Sequence, residues 1–160
     1  MSELKSISSP KGLLCVERGI IAHQVNCQGA FGAGLAKAIA TKYPSAKSDY
    51  LRFVEAHRTS GKKPESLLGT ILASVPQENK NLIIIHMFAQ LYYGNAKQTN
   101  KVYTHYGAFA DCMTKIRSSY PDYTIHLPYL IGCGLAGGDW NIVSDILRQH
   151  SDHVLCVKLV

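Results

Sequence analysis

Two short glycine-rich segments hold the residue types best suited to chemistry. The first runs Asn26-Cys27-Gln28-Gly29-Ala30-Phe31-Gly32-Ala33-Gly34. Its glycines let the backbone approach a ligand closely and turn N–H groups inward. A helix expected just beyond it presents an N-terminus there, with partial positive charge and free donors, a chemistry that suits phosphate. The spacing is neither GxxxxGK[ST] nor GxGxxG, so this is neither a Walker A loop nor a dinucleotide fingerprint. The same cluster would also serve as a plain tight turn. The second segment runs Ile131-Gly132-Cys133-Gly134-Leu135-Ala136-Gly137-Gly138-Asp139-Trp140, a second backbone cradle. Asp139 stands where a helix should begin. There it reads either as an N-cap or as a carboxylate at the edge of a phosphate cradle, able to orient or deprotonate water. Both segments lie between a strand and a helix. If the two strands are parallel, both loops face one crevice and suit a ligand with two or more phosphates.

Of the seven histidines, His23 and His86 fall inside apolar strands. His23 reads as a catalytic imidazole or a satisfied core group, and His86 as structural. His150 and His153 are three apart, but no acidic or Cys partner makes a plausible metal set with them, so no metal is expected. Cys15, Cys27, Cys112, Cys133 and Cys156 are odd in number and form no CxxC pair. They read as reduced packing thiols, which points to the cytoplasm rather than to a disulfide framework.

The elements that must hold the two loops follow from the apolar runs. Strands are expected over 4–8, 19–25, 67–75, 81–89, 123–131 and 153–160. The run Asn81 to Ala89 does not alternate with polar residues, as in a central strand buried on both faces. Leu35, Ile39 and Tyr43 recur at helical spacing up to Pro44, which should stop that helix. Further helices are expected over 45–57, from an Asn100 cap through Val102 to Ile116, and around Trp140, Val143 and Leu147. Strands alternating with helices predict a three-layer α/β/α domain.

A length of 160 residues suits one domain, spanning the whole chain. With 46% apolar and 18% charged residues, global disorder is excluded. The net charge of +6 suits anionic partners. Between Lys37 and Lys63 there are seven basic residues against Asp49 and Glu55. Without an aromatic stacking platform this reads as a solvated helical face, and a nucleic-acid surface is the weaker reading. No apolar run reaches the length of a membrane span, and MSELKSISSP carries no signal-peptide core, so no membrane partner or export is expected.

The segment AHQVNCQGAFGAGLAKAIATKYPSAKSDY resembles the first signature of the macrodomains, modules that bind ADP-ribose or hydrolyse its derivatives, and IGCGLAGGDW resembles their second. The strand NLIIIHMFAQ between them matches the family's central strand in order and character. The resemblance extends from about Gly19 to Val160. It implies a three-layer α/β/α macrodomain with a mixed central sheet. Within the family the first segment looks most like the yeast-type phosphatases acting on ADP-ribose 1''-phosphate, and also like hydrolases that remove ADP-ribose from DNA or glutamate.

The resemblance implies that Asn26 meets the distal ribose and that Gly32, Ala33 and Gly34 line the diphosphate. It implies that Gly132, Cys133, Gly134, Leu135, Ala136, Gly137 and Gly138 close over the other side, and that Tyr92 or Tyr93 packs on the ribose or adenine. His23 and Asp139 are the implied catalytic pair, without a cofactor. Two departures stand out. Phe88-Ala89-Gln90-Leu91-Tyr92-Tyr93 lacks the lysine that the DNA- and glutamate-acting members carry after the central strand. Ser8-Ser9-Pro10-Lys11-Gly12 lacks the usual adenine-binding Asp, which leaves backbone groups near Ile7 and Ser8 for that job. The expected function is hydrolysis of ADP-ribose 1''-phosphate to ADP-ribose and phosphate. The alternatives are a non-catalytic ADP-ribose reader and a hydrolase that removes ADP-ribose from protein or DNA.

Overall fold

The computed structural model describes residues 3–160. Six strands form one sheet: β1 (Lys5–Ser9), β2 (Gly19–Asn26), β3 (Ile71–Ser74), β4 (Leu82–Gln90), β5 (Ile125–Pro128) and β6 (Val154–Leu159). The spatial order is β1-β6-β5-β2-β4-β3. All neighbours are parallel except β3, which runs antiparallel to β4 at one edge. The sheet is mixed, as the family resemblance implied.

Five α-helices accompany it: α1 (Gly34–Lys42), α2 (Pro44–Thr59), the one-turn α3 (Ala96–Thr99), α4 (Tyr106–Ser119) and α5 (Trp140–Arg148). Successive strand residues point to opposite faces, and both faces are covered. Ile20, Ala22, Ile85 and Met87 pack with Phe109, Met113 and Ile116 of α4 and Val143 and Leu147 of α5. Ile21, Val25, Ile84 and Phe88 pack with Ile39 of α1 and Tyr50 and Val54 of α2. This double burial is why β4 reads as a continuous apolar run. The layers are therefore α/β/α.

Several boundaries differ from the sequence-based expectation. α1 ends at Lys42, just before Pro44, as expected, and Pro44 in addition opens α2 at its first turn, where the missing N–H costs nothing and the fixed φ is helical. Asn100 does not cap the helix after it. It ends α3 with φ 57°, a left-handed conformation that Asn tolerates. His105 caps α4 instead, its side chain accepting from the Ala108 N–H. The expected strand over 67–75 shrinks to β3, preceded by a 3-10 turn over Pro64–Leu67. The strand expected over 123–131 stops at Pro128, which releases Tyr129 and Leu130 into a loop. The basic face of α2 is locally compensated, with Arg52 paired to Asp49 and Arg58 to Glu55. Among the described residues, no helix is long and apolar enough to cross a membrane, and no group of three or more His, Cys, Asp and Glu could hold a metal ion.

Candidate functional site

Strands β2 and β5 are parallel neighbours, so the loops leaving their C-terminal ends open on the same edge of the sheet, where ligands of open α/β sheets bind. A cavity of about 810 Å³ lies between them. Asn26, Gly32, Ala33 and Gly34 line it from the first loop, and Gly132, Gly134, Leu135 and Ala136 from the second. His23 lies on its wall. Cys133, Gly137, Gly138, Asp139 and Tyr92 do not.

The first loop is built around the side chain of Asn26, which is only 6% exposed. Its Oδ1 accepts from the N–H groups of Gln28 (2.9 Å) and Ala30 (3.2 Å). Its Nδ2 donates to the Ala30 carbonyl at 2.7 Å. Tyr50 of α2 braces the turn from below, its hydroxyl lying 2.7 Å from the Asn26 carbonyl and accepting from the Gly29 N–H at 3.1 Å. These bonds turn the chain so that the following donors stay free. Among the described residues, the N–H groups of Gly32, Ala33, Gly34 and Leu35 donate to nothing in the chain. They combine the unsatisfied donors of a helix N-terminus with those of its approach. In the second loop the N–H groups of Gly134, Leu135 and Ala136 are likewise free. Two sets of free backbone donors on one cavity make an anion cradle.

The second loop is tied back on itself. Gly138 N–H donates to the Gly132 carbonyl at 2.8 Å, and Gly137 N–H to the Gly134 carbonyl at 3.0 Å. Thr104 Oγ1 reaches the same Gly132 carbonyl at 2.6 Å and accepts from Gln24 Nε2 at 2.9 Å. Gln24 also donates to Gln90 Oε1 at 2.9 Å. This side-chain network joins β2, β4 and the second loop beneath the cavity. The carbonyls of Leu135 and Ala136 accept from the N–H groups of Ala96 and Tyr103, so the segment around α3 clamps the loop's far side.

His23 is 2% exposed. Its Nε2 lies 2.8 Å from Nδ1 of His86, and the Phe31 ring meets it edge-on at 5.5 Å. Burial, and secondarily the neighbouring His86, hold its pKa well below the usual imidazole range. Burial also pushes His86 down, to about 3. Both rings are neutral at pH 7. The unfolded chain would protonate them near pH 6.5, so the native state loses relative stability as pH falls below that value. Each ring should contribute a loss approaching ~1.4 kcal/mol per pH unit. Urea midpoints at pH 7.0 and 5.0 test this: the fall should be markedly smaller in His86→Phe than in the wild type.

Asp139 is exposed, and one carboxylate oxygen caps α5 by accepting from the Asn141 N–H at 2.9 Å. Its backbone N–H donates to the Tyr106 hydroxyl at 2.9 Å. Burial, with Asp139 adding to it, raises the Cys133 thiol to about 11. Burial raises the Cys27 thiol to about 12. Both shifts disfavour the thiolate, the nucleophilic form, at neutral pH. Tyr92 is 58% exposed and off the wall. Tyr93, equally exposed, is on it. Ile7 and Ser8, expected near adenine, sit in the edge strand β1 away from the wall.

Sequence reasoning missed several wall residues: Gln24, Gln90, Asn95, Tyr129 and Leu130. Tyr129 is held in place by Trp140, 5.2 Å from its ring, and by the Lys158 ammonium, 4.2 Å from its centroid. Leu130 adopts φ 64°, a conformation uncommon outside glycine that clusters at functional sites. Pro128 was the available signal for an early strand end. The Gln24–Thr104–Gly132 network had none, since its members lie far apart in the chain.

No family model matches the chain. It is 28% identical over 155 residues to an ADP-ribose 1''-phosphate phosphatase of Saccharomyces cerevisiae, covering 82% of this chain and 84% of that one. It is 26% identical over 161 residues to a protein of the same name from Debaryomyces hansenii, covering 88% of each. Among solved structures, a macrodomain protein from Streptomyces coelicolor superposes with a TM-score of 0.72 at 18% identity, over 98% of both chains.

Proposed function

We propose that the chain is a macrodomain that binds ADP-ribose 1''-phosphate in the cavity between its two glycine loops and hydrolyses it to ADP-ribose and phosphate. The observation that carries this reading is the double cradle of free backbone N–H groups, suited to a diphosphate. The similarity to two yeast proteins named for that phosphatase activity supports the choice of substrate. In this reading the residues 1–160 form one macrodomain. The N–H groups of Gly32, Ala33 and Gly34 hold the diphosphate from one side, and the second loop covers it from the other. Asn26 shapes the first loop and offers its remaining amide hydrogen to the distal ribose. Tyr93 packs on the ligand.

Hydrolysis requires water to attack phosphorus, the bond from phosphorus to the 1'' oxygen to break, and that oxygen to gain a proton. Asp139 is the base in this reading. One carboxylate oxygen caps α5, and the other is left to orient water and take its proton. His23 donates a hydrogen bond to the departing oxygen as charge builds on it; that oxygen takes its proton from solvent water, and Asp139 passes the proton it accepted back to solvent. Backbone donors stabilise the transferred phosphoryl group.

Asp139→Asn separates catalysis from structure, because Asn caps helices as well as Asp does but cannot serve as a base. Phosphate release should fall by a factor of about 10² or more, with a melting temperature close to wild type and ADP-ribose still bound. Undiminished release in Asp139→Asn would remove Asp139 from the mechanism. A second reading has one observation in its favour: among the described residues, no charged residue lines the cavity, which suits a reader that binds ADP-ribose without chemistry. Tight ADP-ribose binding by the wild type with no phosphate release would select it.

A further inference from the structure

We propose that Ser74 and His86 act as positioning residues that fix the tautomer of His23, so that His23 Nδ1 carries the proton and donates into the cavity. The inference rests on the reading above only in assigning that donor to a ligand. The three side chains stand on the adjacent strands β3, β4 and β2, and their exposures are 1%, 0% and 2%. Ser74 Oγ lies 3.0 Å from His86 Nε2, and His86 Nδ1 lies 2.8 Å from His23 Nε2. Phe31, from the first loop, and Tyr50, from α2, pack their rings against the pair. The Tyr50 hydroxyl is engaged by Asn26 and Gly29.

Only one order of protons satisfies every buried donor. Among the described residues the Ser74 hydroxyl has one hydrogen-bond partner, His86 Nε2. If His86 Nε2 carried a proton, it would donate to Ser74 Oγ, and the serine's own O–H would be buried without an acceptor, at a full desolvation penalty. If instead Ser74 O–H donates to His86 Nε2, that ring, being neutral, must carry its proton on Nδ1. His86 Nδ1–H then donates to His23 Nε2, and neutral His23 must carry its proton on Nδ1. Burial keeps both rings uncharged, which rules out a doubly protonated ring as the link. His23 lines the cavity, and with Nε2 committed to His86 its Nδ1 is the polar atom left for a ligand. A neutral N–H suits an anionic or hydroxyl oxygen, and the same nitrogen is unavailable as a base. The sequence reading of His86 as structural therefore becomes more specific: it sets which nitrogen of His23 bears the proton.

Long-range ¹H–¹⁵N NMR of the histidine side chains of the whole protein at pH 7 tests this. In the wild type both His23 and His86 should show a protonated Nδ1 and a bare Nε2, the reverse of the tautomer free histidine favours in water. Ser74→Ala should move His23 towards the Nε2–H form and lower phosphate release by about tenfold, without changing the KM in proportion. Ser74→Thr, which keeps the hydroxyl, should restore both. An Nε2–H or doubly protonated His23 in the wild type overturns the proposal. So does an Nδ1–H signal that Ser74→Ala leaves unchanged. Should Ser74→Ala fail to fold, the wild-type and Ser74→Thr spectra decide the tautomer. A fixed Nδ1–H tautomer together with full phosphate release by His23→Ala would leave the lock standing and remove His23 from the catalytic reading.

Discussion

Replacing Gly138 by alanine is expected to abolish useful ADP-ribose binding. A Cβ at this position would stand 2.5 Å from the carbonyl oxygen of Gly132 and 3.2 Å from Thr104 Oγ1. The first neighbour is backbone, so it cannot swing aside as a flexible side chain would. The same carbonyl accepts the Gly138 N–H that closes the second loop. Gly132 cannot yield easily either. It holds φ 74°, and its own α-carbon faces Gln24 and Thr104 with no room for a side chain. The added methyl must therefore open the loop and scatter the free donors of Gly134, Leu135 and Ala136. Calorimetric titration with ADP-ribose should show a loss of at least ~100-fold, or ~2.7 kcal/mol. Affinity within threefold of wild type would show that this loop does not form the phosphate cradle.

Asn26→Ala should have the second large effect, and on two observables at once. The truncation removes the acceptor for the Gln28 and Ala30 N–H groups and the donor to the Ala30 carbonyl. Tyr50 loses one of its contacts as well. Part of the turn can recover hydrogen bonds from water, so the expected destabilisation is about 2–3 kcal/mol, read from denaturant unfolding. ADP-ribose affinity should fall with it, because the free donors of Gly32 to Leu35 depend on that turn. Asn26→Asp keeps the acceptor but loses the Nδ2 donor and places a charge at a buried site, so it should rescue neither quantity. Wild-type affinity in Asn26→Ala would mean that the ligand, rather than this side chain, organises the first loop.

Much of this site was legible in the chain. The two glycine clusters were visible as cradles, and strand–loop–helix order located them at strand ends. That holds because glycine spacing and hydrophobic periodicity are local properties, read within about ten residues. The apolar run of β4 likewise announced a strand covered on both faces. The dual character of Asp139 was also visible, since capping depends on position relative to a helix start.

Other features belong to the tertiary structure alone. Tyr50 falls inside the helix expected over 45–57, and only packing brings its hydroxyl under Asn26 and Gly29. Whether Tyr92 or Tyr93 lines the cavity depends on where the chain turns after β4, which neighbouring segments set. Gln24, Gln90 and Thr104 meet across 66 and 80 positions of sequence, and His23 meets His86 across 63. No local pattern encodes such encounters, because they arise from strand order and register. Register places His23 opposite His86, and the antiparallel edge strand brings Ser74 within reach of the second ring. Local spacing decided which segments could carry chemistry, and sheet topology decided which buried donors and acceptors would be forced to share their protons.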